Sequence, residues 1–405
     1  MKPTKSHTLS LARLCHLGLL SLALLSISAC SPRVQHLQST NWVVNQTATR
    51  AMVAYIESYK YSQQVDPAEL PSALKEVTPQ MSKAVHDLFG GKRNFPRELA
   101  AKRIAKWLIA EDGLGMKYDI DANFSPVVAY AERRGNCLSF TLLLEALTRE
   151  MGIPIHVNEV DIPTNWGLND KDTMVFYRHV NAVQSANGRN QVFDLALDQY
   201  RFEYPQRRIK LEHGYAQLFS NQAVDALKEN DLEKAEHLMK LALSTYSDDA
   251  SLWVNYGVIN EHRGNDKAAE LIFRHALAVD PLILVGVTNL ARFLDKKGRN
   301  QESVRLQEIA DDIRDENPYF HFLTAENLVE SGNFAAAQAH IDEAIRLNSD
   351  DARFFALRSK IALADRHFRK AYVDMRKAYR LTNYPDERDA YRNKAAWISG
   401  KRNMR

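Results

Sequence analysis

Apolar side chains recur at the spacing of an α-helix in three stretches of the first half of the chain. These stretches are residues 45–61, residues 96–111 and Leu138–Met151, and the last of them stops at Gly152 and Pro154. Each stretch predicts a helix with a buried face.

Further along the chain the period changes from helical to alternating. Residues 155–160, 175–183 and 191–195 alternate apolar and polar side chains, as strands with one buried face do, and residues 186–190 have the composition of a hairpin turn. The pattern predicts an α+β domain over residues 45–205, in which helices are followed by a small antiparallel sheet.

From about residue 214 the chain repeats itself every 34 residues. Fifteen positions in three registers hold only small side chains, which indicates that paired helices approach closely there. The three registers are Ala235, Ala269, Ser303, Ala337 and Ala371; Ala242, Ala276, Ala310, Ala344 and Ala378; and Ala223, Gly257, Ala291, Ala325 and Ser359.

This period is that of tetratricopeptide repeats (TPRs), and it predicts five of them over residues 214–383. The second repeat matches best, through Trp253, Tyr256, Gly257, Ala269, Phe273 and Pro281. The third repeat departs from the pattern at Ser303 and Gln307, and its terminal Pro318 comes three residues late. Residues 384–405 are predicted to complete an all-α solenoid as a capping helix and tail.

The first residues have the features of an export signal. Lys2, Lys5 and Arg13 accompany the apolar run Leu17–Ile27, which is too short to span a bilayer comfortably. The run ends in Leu-Ser-Ile-Ser-Ala-Cys, which resembles the bacterial lipobox, where small residues precede a cysteine that is acylated.

The resemblance implies that residues 1–29 are a signal peptide, that Cys30 carries the lipid (palmitate), and that residues 30–44 form a tether. Because Ser31 rather than an aspartate follows Cys30, the resemblance favours the outer membrane of a bacterial cell envelope, with the protein facing the periplasm. A transmembrane anchor or an ordinary cleaved signal is the alternative.

Removal of that segment changes the charge of the chain. The full sequence has 53 Lys and Arg against 50 Asp and Glu, and three of the basic residues precede Cys30. The rest therefore carries 50 of each sign, so the net charge does not favour a nucleic acid or an anionic surface as partner. The length predicts more than one domain.

The same removal leaves Cys137 as the one thiol besides Cys30. Structural cysteines in an oxidising compartment normally come in pairs, so an unpaired one needs a chemical explanation. Cys137 stands in Arg-Gly-Asn-Cys-Leu-Ser-Phe-Thr, His179 in Arg-His-Val and Asp194 in Val-Phe-Asp-Leu. This is the order of a thiol nucleophile, its base and the residue that orients the base.

These three motifs resemble the transglutaminase-like branch of the papain-type cysteine enzymes over residues 95–200. The resemblance implies a cysteine that begins a helix packed against a sheet, with the histidine and the aspartate on neighbouring strands. It also implies the roles of nucleophile for Cys137, base for His179 and orienting carboxylate for Asp194.

Such a site needs an ionised thiol, although a free thiol titrates near pH 8.5. A helix N-terminus and an adjacent imidazolium both stabilise a thiolate. The backbone N–H of Cys137 is one predicted oxyanion donor, and Tyr118 and Asn123 are candidates for the second. We expect Gly135 to let the backbone turn sharply into the helix.

Several alternatives stay open at this point. His179 also fits a strand histidine bonded to the backbone, Asp198 competes with Asp194 for its role, and Trp166 fits either the substrate cleft or a loop over the core. His156 is interpreted as structural. The sequence shows no metal-ligand cluster, no glycine-rich phosphate loop and no paired-carboxylate signature, so no metal or cofactor is predicted.

The predicted function is thiol-dependent acyl transfer from amide bonds. The resemblance favours a peptidase or amidase over a cross-linking transglutaminase. The repeats predict a protein or peptide partner in their groove. The rival interpretation is a non-catalytic peptide-binding scaffold or envelope assembly factor.

Overall fold

The structure is a computed structural model that describes residues 50–54, 77–90, 96–162, 179–186, 189–196, 200–201 and 203–402. These residues belong to one folded unit, Val43–Arg405. The predicted signal peptide and tether, with Cys30, lie outside the described residues, as do Trp166 and Asp198.

Short helices and strands make up the chain before residue 210. In chain order they are α1 Pro79–Leu88, α2 Arg97–Ile109, β1 Lys117–Tyr118, α3 Pro126–Glu132, β2 Arg134–Gly135, α4 Cys137–Glu150, β3 His156–Val160, β4 His179–Ala186, β5 Arg189–Phe193 and β6 Gln206–Ile209. Residues 50–54 are also helical. Two of the helices predicted from apolar spacing are therefore α2 and α4, with ends that differ by one or two residues.

Four of the strands form an antiparallel sheet in the order β5-β4-β3-β6. The central pair places Val157 opposite Ala182 and Val160 opposite His179. The sheet is antiparallel, as predicted, but β6 was missed because Gln-Arg-Arg-Ile has three exposed side chains and no alternation. Separately, β1 and β2 form a parallel pair, in which Tyr118 is the partner of Gly135.

This parallel pair corrects the explanation of Gly135. Its φ is not positive, and the left-handed turn before it is made by Arg133, with a φ of 53°. A Cβ on Gly135 would lie 2.8 Å from Ser139 Cβ and 2.7 Å from Met116 Cε. Glycine is required because β2 lies against the first turn of α4, not because the backbone turns there.

After β6 the described chain is entirely helical. The helices are α5 Leu211–Lys228, α6 Leu232–Thr245, α7 Ala250–His262, α8 Asp266–Val279, α9 Leu284–Lys296, α10 Asn300–Asp315, α11 Pro318–Glu330, α12 Phe334–Leu347, α13 Ala352–Ala364, α14 Phe368–Leu381 and α15 Pro385–Arg402. From α5 to α14 they pack in consecutive pairs, and α15 packs on α14. None of the described helices is both long enough and apolar enough to cross a membrane.

The 34-residue columns are contact positions within this stack. Every side chain in them is at most 2% exposed, and Gly257 is buried as well. A Cβ on Gly257 would lie 2.5 Å from the Phe273 ring. The late Pro318 also has a structural cause, because α10 has 16 residues where α8 has 14, and Pro318 begins α11.

Helix α4 runs through the centre of the first domain. Every residue from Cys137 to Thr148 is buried. One side of α4, including Phe140, packs on α1 and α2, and the other, including Leu142, packs on β3, β4 and α5. The first helix of the repeat region thus closes the core that holds the cysteine helix.

Candidate functional site

Cys137 is the first residue of α4 and is 8% exposed. Asn136 caps this helix, and its side-chain oxygen accepts the Ser139 N–H at 3.0 Å. The N–H groups of a first helical turn carry a partial positive charge, which favours an anion at this end. The fold therefore places the thiol where a thiolate is stabilised.

Two neighbouring strands bring His179 and Asp194 to the same end of the sheet. His179 begins β4, and Asp194 directly follows β5. His179 Nε2 lies 2.5 Å from Asp194 Oδ2, while Asp194 Oδ1 accepts the Ala196 N–H at 2.9 Å. The carboxylate thereby orients the ring and leaves Nδ1 as the ring nitrogen for the thiol.

The three residues singled out from the sequence meet in one buried site. The Cys137 sulfur, a His179 ring nitrogen and an Asp194 oxygen lie within 4.8 Å of one another. Burial by itself would lower the pKa of His179, but the hydrogen bonds and charges of Asp194 and Cys137 outweigh it and raise that pKa to about 10. The imidazolium therefore keeps its charge throughout the neutral range.

Thiolate, imidazole and carboxylate are also ligands of zinc, so a metal site is the chemical alternative for this cluster. Two ligands of one tetrahedral zinc ion lie roughly 3.4 Å apart, given bonds of about 2.1 Å. The separation of 2.5 Å between His179 Nε2 and Asp194 Oδ2 is that of a hydrogen bond. The observed arrangement suits proton transfer better than metal ligation.

The two candidate oxyanion donors occupy different places. Tyr118 lies on β1 beside Gly135 and is 39% exposed. Asn123 is buried, and its amide nitrogen donates to Asp225 Oδ2 at 2.6 Å. Because the Asn123 amide already bonds to α5, we interpret Asn123 as a residue that supports the start of α4 and not as an oxyanion donor. Tyr118 stays a prediction for the second donor.

A chain of amides connects the start of α4 to α5. Asn123 Oδ1 accepts from Asn136 Nδ2 at 2.6 Å and from Asn221 Nδ2 at 3.1 Å. Gln222 Nε2 donates to the Asn123 carbonyl at 2.9 Å, and Asp225 accepts from the Asn123 amide. Helix α5 thus holds the loop that holds the cap of the cysteine helix. Sequence reasoning missed this network, because Asn123 lies about 100 residues from its partners on α5 and the members follow no period.

A second buried cluster lies where the sheet meets the first repeat. His213 Nε2 lies 2.6 Å from Asp249 Oδ2, and Glu159 completes a group whose ligand atoms lie within 4.8 Å. Gln217 and Arg207 bond to the Glu159 carboxylate at 2.6 and 2.9 Å. Sequence reasoning missed this cluster too, since β3, β6, α5 and the loop before α7 supply its members without any motif spacing.

The comparisons with known proteins concern the repeats. A family model described as "Tetratricopeptide repeat" matches residues 220–282 and 322–387. Together with the 34-residue columns and the helix pairs, this match establishes TPRs in the C-terminal region. No curated protein matches the chain significantly.

Three solved structures are similar to part of the chain. PilF of Pseudomonas aeruginosa shares 16% identity over 48% of this chain and 88% of its own, with a TM-score of 0.26. YrrB, described as a TPR protein with an unusual peptide-binding site, shares 18% identity over 42% of this chain and 89% of its own, with a TM-score of 0.23. Yeast Tom70 shares 15% identity over 47% of this chain and 48% of its own, with a TM-score of 0.25.

We expect His179→Ala to slow the reaction of Cys137 with iodoacetamide at pH 6.5 by about tenfold or more. In the wild-type chain the imidazolium keeps its charge up to about pH 10 and stabilises the thiolate, whereas the variant lacks that cation. The measurement is the alkylation rate between pH 5 and pH 10. It uses the chain from Ser31 onward, in which Cys137 is the sole cysteine.

His156→Ala is the matched control, because His156 lies at the exposed end of β3 and should leave the rate unchanged. Equal rates in the wild-type chain and in His179→Ala would contradict the ion pair. So would a thiol that reacts only after the chain unfolds.

Replacing Asp225 tests the link between α5 and the cysteine helix. Asp225→Leu removes the acceptor of Asn123 and should lower the free energy of unfolding by about 1 kcal/mol. It should also slow alkylation of Cys137 at pH 6.5, because the cap of α4 loses its support. Asp225→Asn keeps an acceptor oxygen and should change both little; urea unfolding and the alkylation rate measure the two effects.

Glu229→Leu, at an exposed position that ends α5, is the control for a change of charge on this helix. If Asp225→Leu lowers stability but leaves the pH profile of alkylation unchanged, the network has only a structural role.

Proposed function

We propose that residues 45–205 form a transglutaminase-like thiol enzyme domain that transfers acyl groups from amides, and that the repeats bind its polypeptide partner. The observation that carries this proposal is the buried site in which Cys137, at a helix N-terminus, meets the His179–Asp194 pair. The repeat half of the proposal is supported by the general use of TPR arrays as polypeptide-binding surfaces.

In the proposed reaction, the Cys137 thiolate attacks the carbonyl carbon of an amide, and the carbonyl oxygen takes up the negative charge. The backbone N–H of Cys137 stabilises that charge, with Tyr118 as the candidate second donor. The C–N bond breaks as His179 gives its proton to the leaving amine, which leaves a thioester on Cys137. Asp194 holds the imidazole in the orientation that both steps need.

The thioester is resolved by water or by an amine. His179 accepts a proton from water, and the resulting oxygen nucleophile attacks the acyl carbon. The C–S bond then breaks, which restores the thiolate and releases a carboxylic acid that loses its proton to solvent. An amine in place of water gives a new amide. We favour hydrolysis, by a peptidase or amidase, because the bacterial proteins of the resembling branch are mostly hydrolytic.

The second candidate function is a non-catalytic peptide-binding scaffold or envelope assembly factor. The comparisons favour this candidate over the enzyme, since the family model that matches describes the repeats alone. In this case the first domain is a degenerate enzyme that keeps Cys137, His179 and Asp194 but catalyses no reaction. Binding of a protein or peptide by the repeats is common to both candidates.

We also propose that Cys30 is acylated and holds the chain at the bacterial cell envelope, on the periplasmic side of the outer membrane. The support is the apolar run and the Ser-Ala-Cys sequence that ends it. A lipid anchor would keep both the thiol site and the repeats near the membrane surface.

Turnover separates the enzyme from the scaffold. With 4-nitrophenyl acetate as acylating probe, we expect the wild-type chain to release one equivalent of nitrophenolate as Cys137 is acylated and then to continue, because His179 activates water against the thioester. His179→Ala should lose steady turnover by about 100-fold, and Cys137→Ala should lose both phases. Stopped-flow absorbance measures burst and steady rate.

A burst without steady turnover in the wild-type chain would favour the scaffold. Turnover that survives in Cys137→Ala would contradict the thiol mechanism. His156→Ala again serves as the histidine control.

Replacing Cys30 tests the anchor. In a bacterial host, Cys30→Ala should abolish incorporation of labelled palmitate and move the chain from the membrane pellet to the supernatant, because each buried CH₂ of an acyl chain contributes about 0.8 kcal/mol to membrane binding. Cys15→Ala, just before the apolar run of the signal, should change neither. Palmitate labelling that persists without Cys30 would overturn the assignment.

A further inference from the structure

The described residues between Tyr200 and β6 lie on the fourth and fifth repeats. We call residues 200, 201 and 203–205 the strap. Its Tyr204 is 8% exposed and meets the Tyr319 ring edge-on, with centroids 5.7 Å apart. Tyr204 belongs to the same apolar cluster as Phe322 of α11 and Phe354 of α13. The strap thus fills a space between the first helices of two successive repeats.

Polar contacts fix the strap at three points. Arg353 Nη1 donates to the Tyr204 hydroxyl at 2.9 Å, and the guanidinium lies 5.0 Å from the centre of that ring. The Tyr319 hydroxyl donates to the Glu203 carbonyl at 2.9 Å. Beyond it, Arg201 Nη2 donates to Glu387 Oε1 at 2.6 Å, at the start of α15, and the Arg201 guanidinium lies 4.6 Å from the centre of the Tyr384 ring.

These contacts have the form of peptide recognition. One is made to a backbone carbonyl and two to side chains, the combination by which binding sites recognise a short peptide segment. The Tyr204 N–H also donates to the Arg201 carbonyl at 3.3 Å, so the strap presents these groups on a turn. The Arg353 side chain is held in place by Asp351, whose Oδ1 accepts from Nε at 3.0 Å. A charge that is already oriented binds a ligand at lower entropic cost.

We propose that the face formed by Tyr319, Phe322, Arg353, Tyr384 and Glu387 is a recognition surface for a polypeptide turn that carries a tyrosine with a nearby basic residue. The strap is its resident ligand, and a partner of this chemistry displaces it. This inference rests on the proposed role of the repeats in polypeptide binding and names the class of partner.

The strap is connected along the chain to a residue of the thiol site. Tyr200 follows Asp194 by six residues and is buried, and its hydroxyl donates to Gln206 of β6 at 3.1 Å. Burial raises the pKa of Tyr200, and the charge of Asp194 adds to that rise. In this proposal, a partner that displaces the strap also moves Tyr200, which lies six residues along the chain from the carboxylate that orients His179.

A free peptide must compete with the strap for this surface, and this competition determines the affinity that an experiment measures. A ligand tethered at both ends by a few residues has an effective concentration on the order of millimolar. The wild-type chain should therefore bind a free peptide of the same sequence weakly. A chain whose strap has lost its anchoring side chains should bind that peptide well.

The test uses a fluorescent peptide with the sequence of residues 200–207 and the chain from Ser31 onward. In the vacated variant, Arg201, Glu203 and Tyr204 are all changed to Ala. We expect anisotropy titration to show the peptide binding the vacated chain at least about tenfold more tightly than the wild-type chain. A peptide with Ser in place of Tyr204 should lose that gain.

A charge exchange locates the binding to the strap site. Glu387→Arg in the vacated chain should weaken binding of the peptide by about tenfold. A peptide with Glu in place of Arg201 should recover the lost affinity. Asp386→Arg, at the exposed neighbouring position, is the matched control and should have a much smaller effect. Alkylation of Cys137 with and without peptide reports the effect on the thiol site.

A vacated chain that keeps the wild-type circular dichroism and urea profile yet binds no peptide would overturn the proposal. Peptide binding that is equally tight in the vacated chain with and without Glu387→Arg would overturn the proposal as well. If the triple variant does not fold, Arg201→Glu alone carries the test, since it repels Glu387 and should still strengthen peptide binding several-fold. Peptide binding is read without turnover, so its failure leaves the thiol chemistry standing, and the reverse holds.

Discussion

Helix α4 begins in the interior of the protein, where its first N–H groups cannot reach water. A buried donor without a partner costs about 1–3 kcal/mol, so the chain must supply acceptors close by. Asn136 accepts from the Ser139 N–H, and the Ser139 hydroxyl bridges the Ala122 carbonyl and the Phe124 N–H at 2.8 Å each. Cys137 stands at the point where this buried helix end still favours a negative charge.

The same requirement ties the cysteine helix to the repeats. Asn123, which bonds to the Asn136 cap, is itself held by side chains of α5, the first helix of the repeat region. Helix α5 also covers the core, where Tyr215 and Leu218 share a cluster with Leu138. A helix that belongs to both parts provides a direct physical route between a partner on the repeats and the thiol.

The sequence could predict those features that depend on residues close together in the chain or repeated at a fixed spacing. The columns of small residues mark contacts within and between adjacent helices, so a period of 34 is enough to place the helix pairs. The order of Cys137, His179 and Asp194 is likewise legible, because each begins or directly follows a helix or strand with a clear pattern.

The remaining contacts could not be predicted, because they join residues far apart by single polar bonds without periodicity. Tyr319 lies 116 residues from Glu203, and Arg353 lies 149 residues from Tyr204. Gly135 shows the limit in a different way, since a glycine before a helix suggests a turn, whereas here it makes room for Ser139. Both cases need the packed structure, which a linear pattern does not contain.

The second histidine–aspartate pair shows which part of the site argues for chemistry. His213 and Asp249 are as buried as His179 and Asp194, and buried pairs of this kind are weak evidence for function on their own. Asp249 Oδ1 accepts the Ser251 N–H as the cap of α7, and Tyr246 stacks on the His213 ring with centroids 4.3 Å apart. These contacts give the His213–Asp249 pair a structural role. Within the described chain the one free cysteine lies at the other pair. The case for catalysis therefore depends on the third residue, a thiol at a helix start beside an imidazolium.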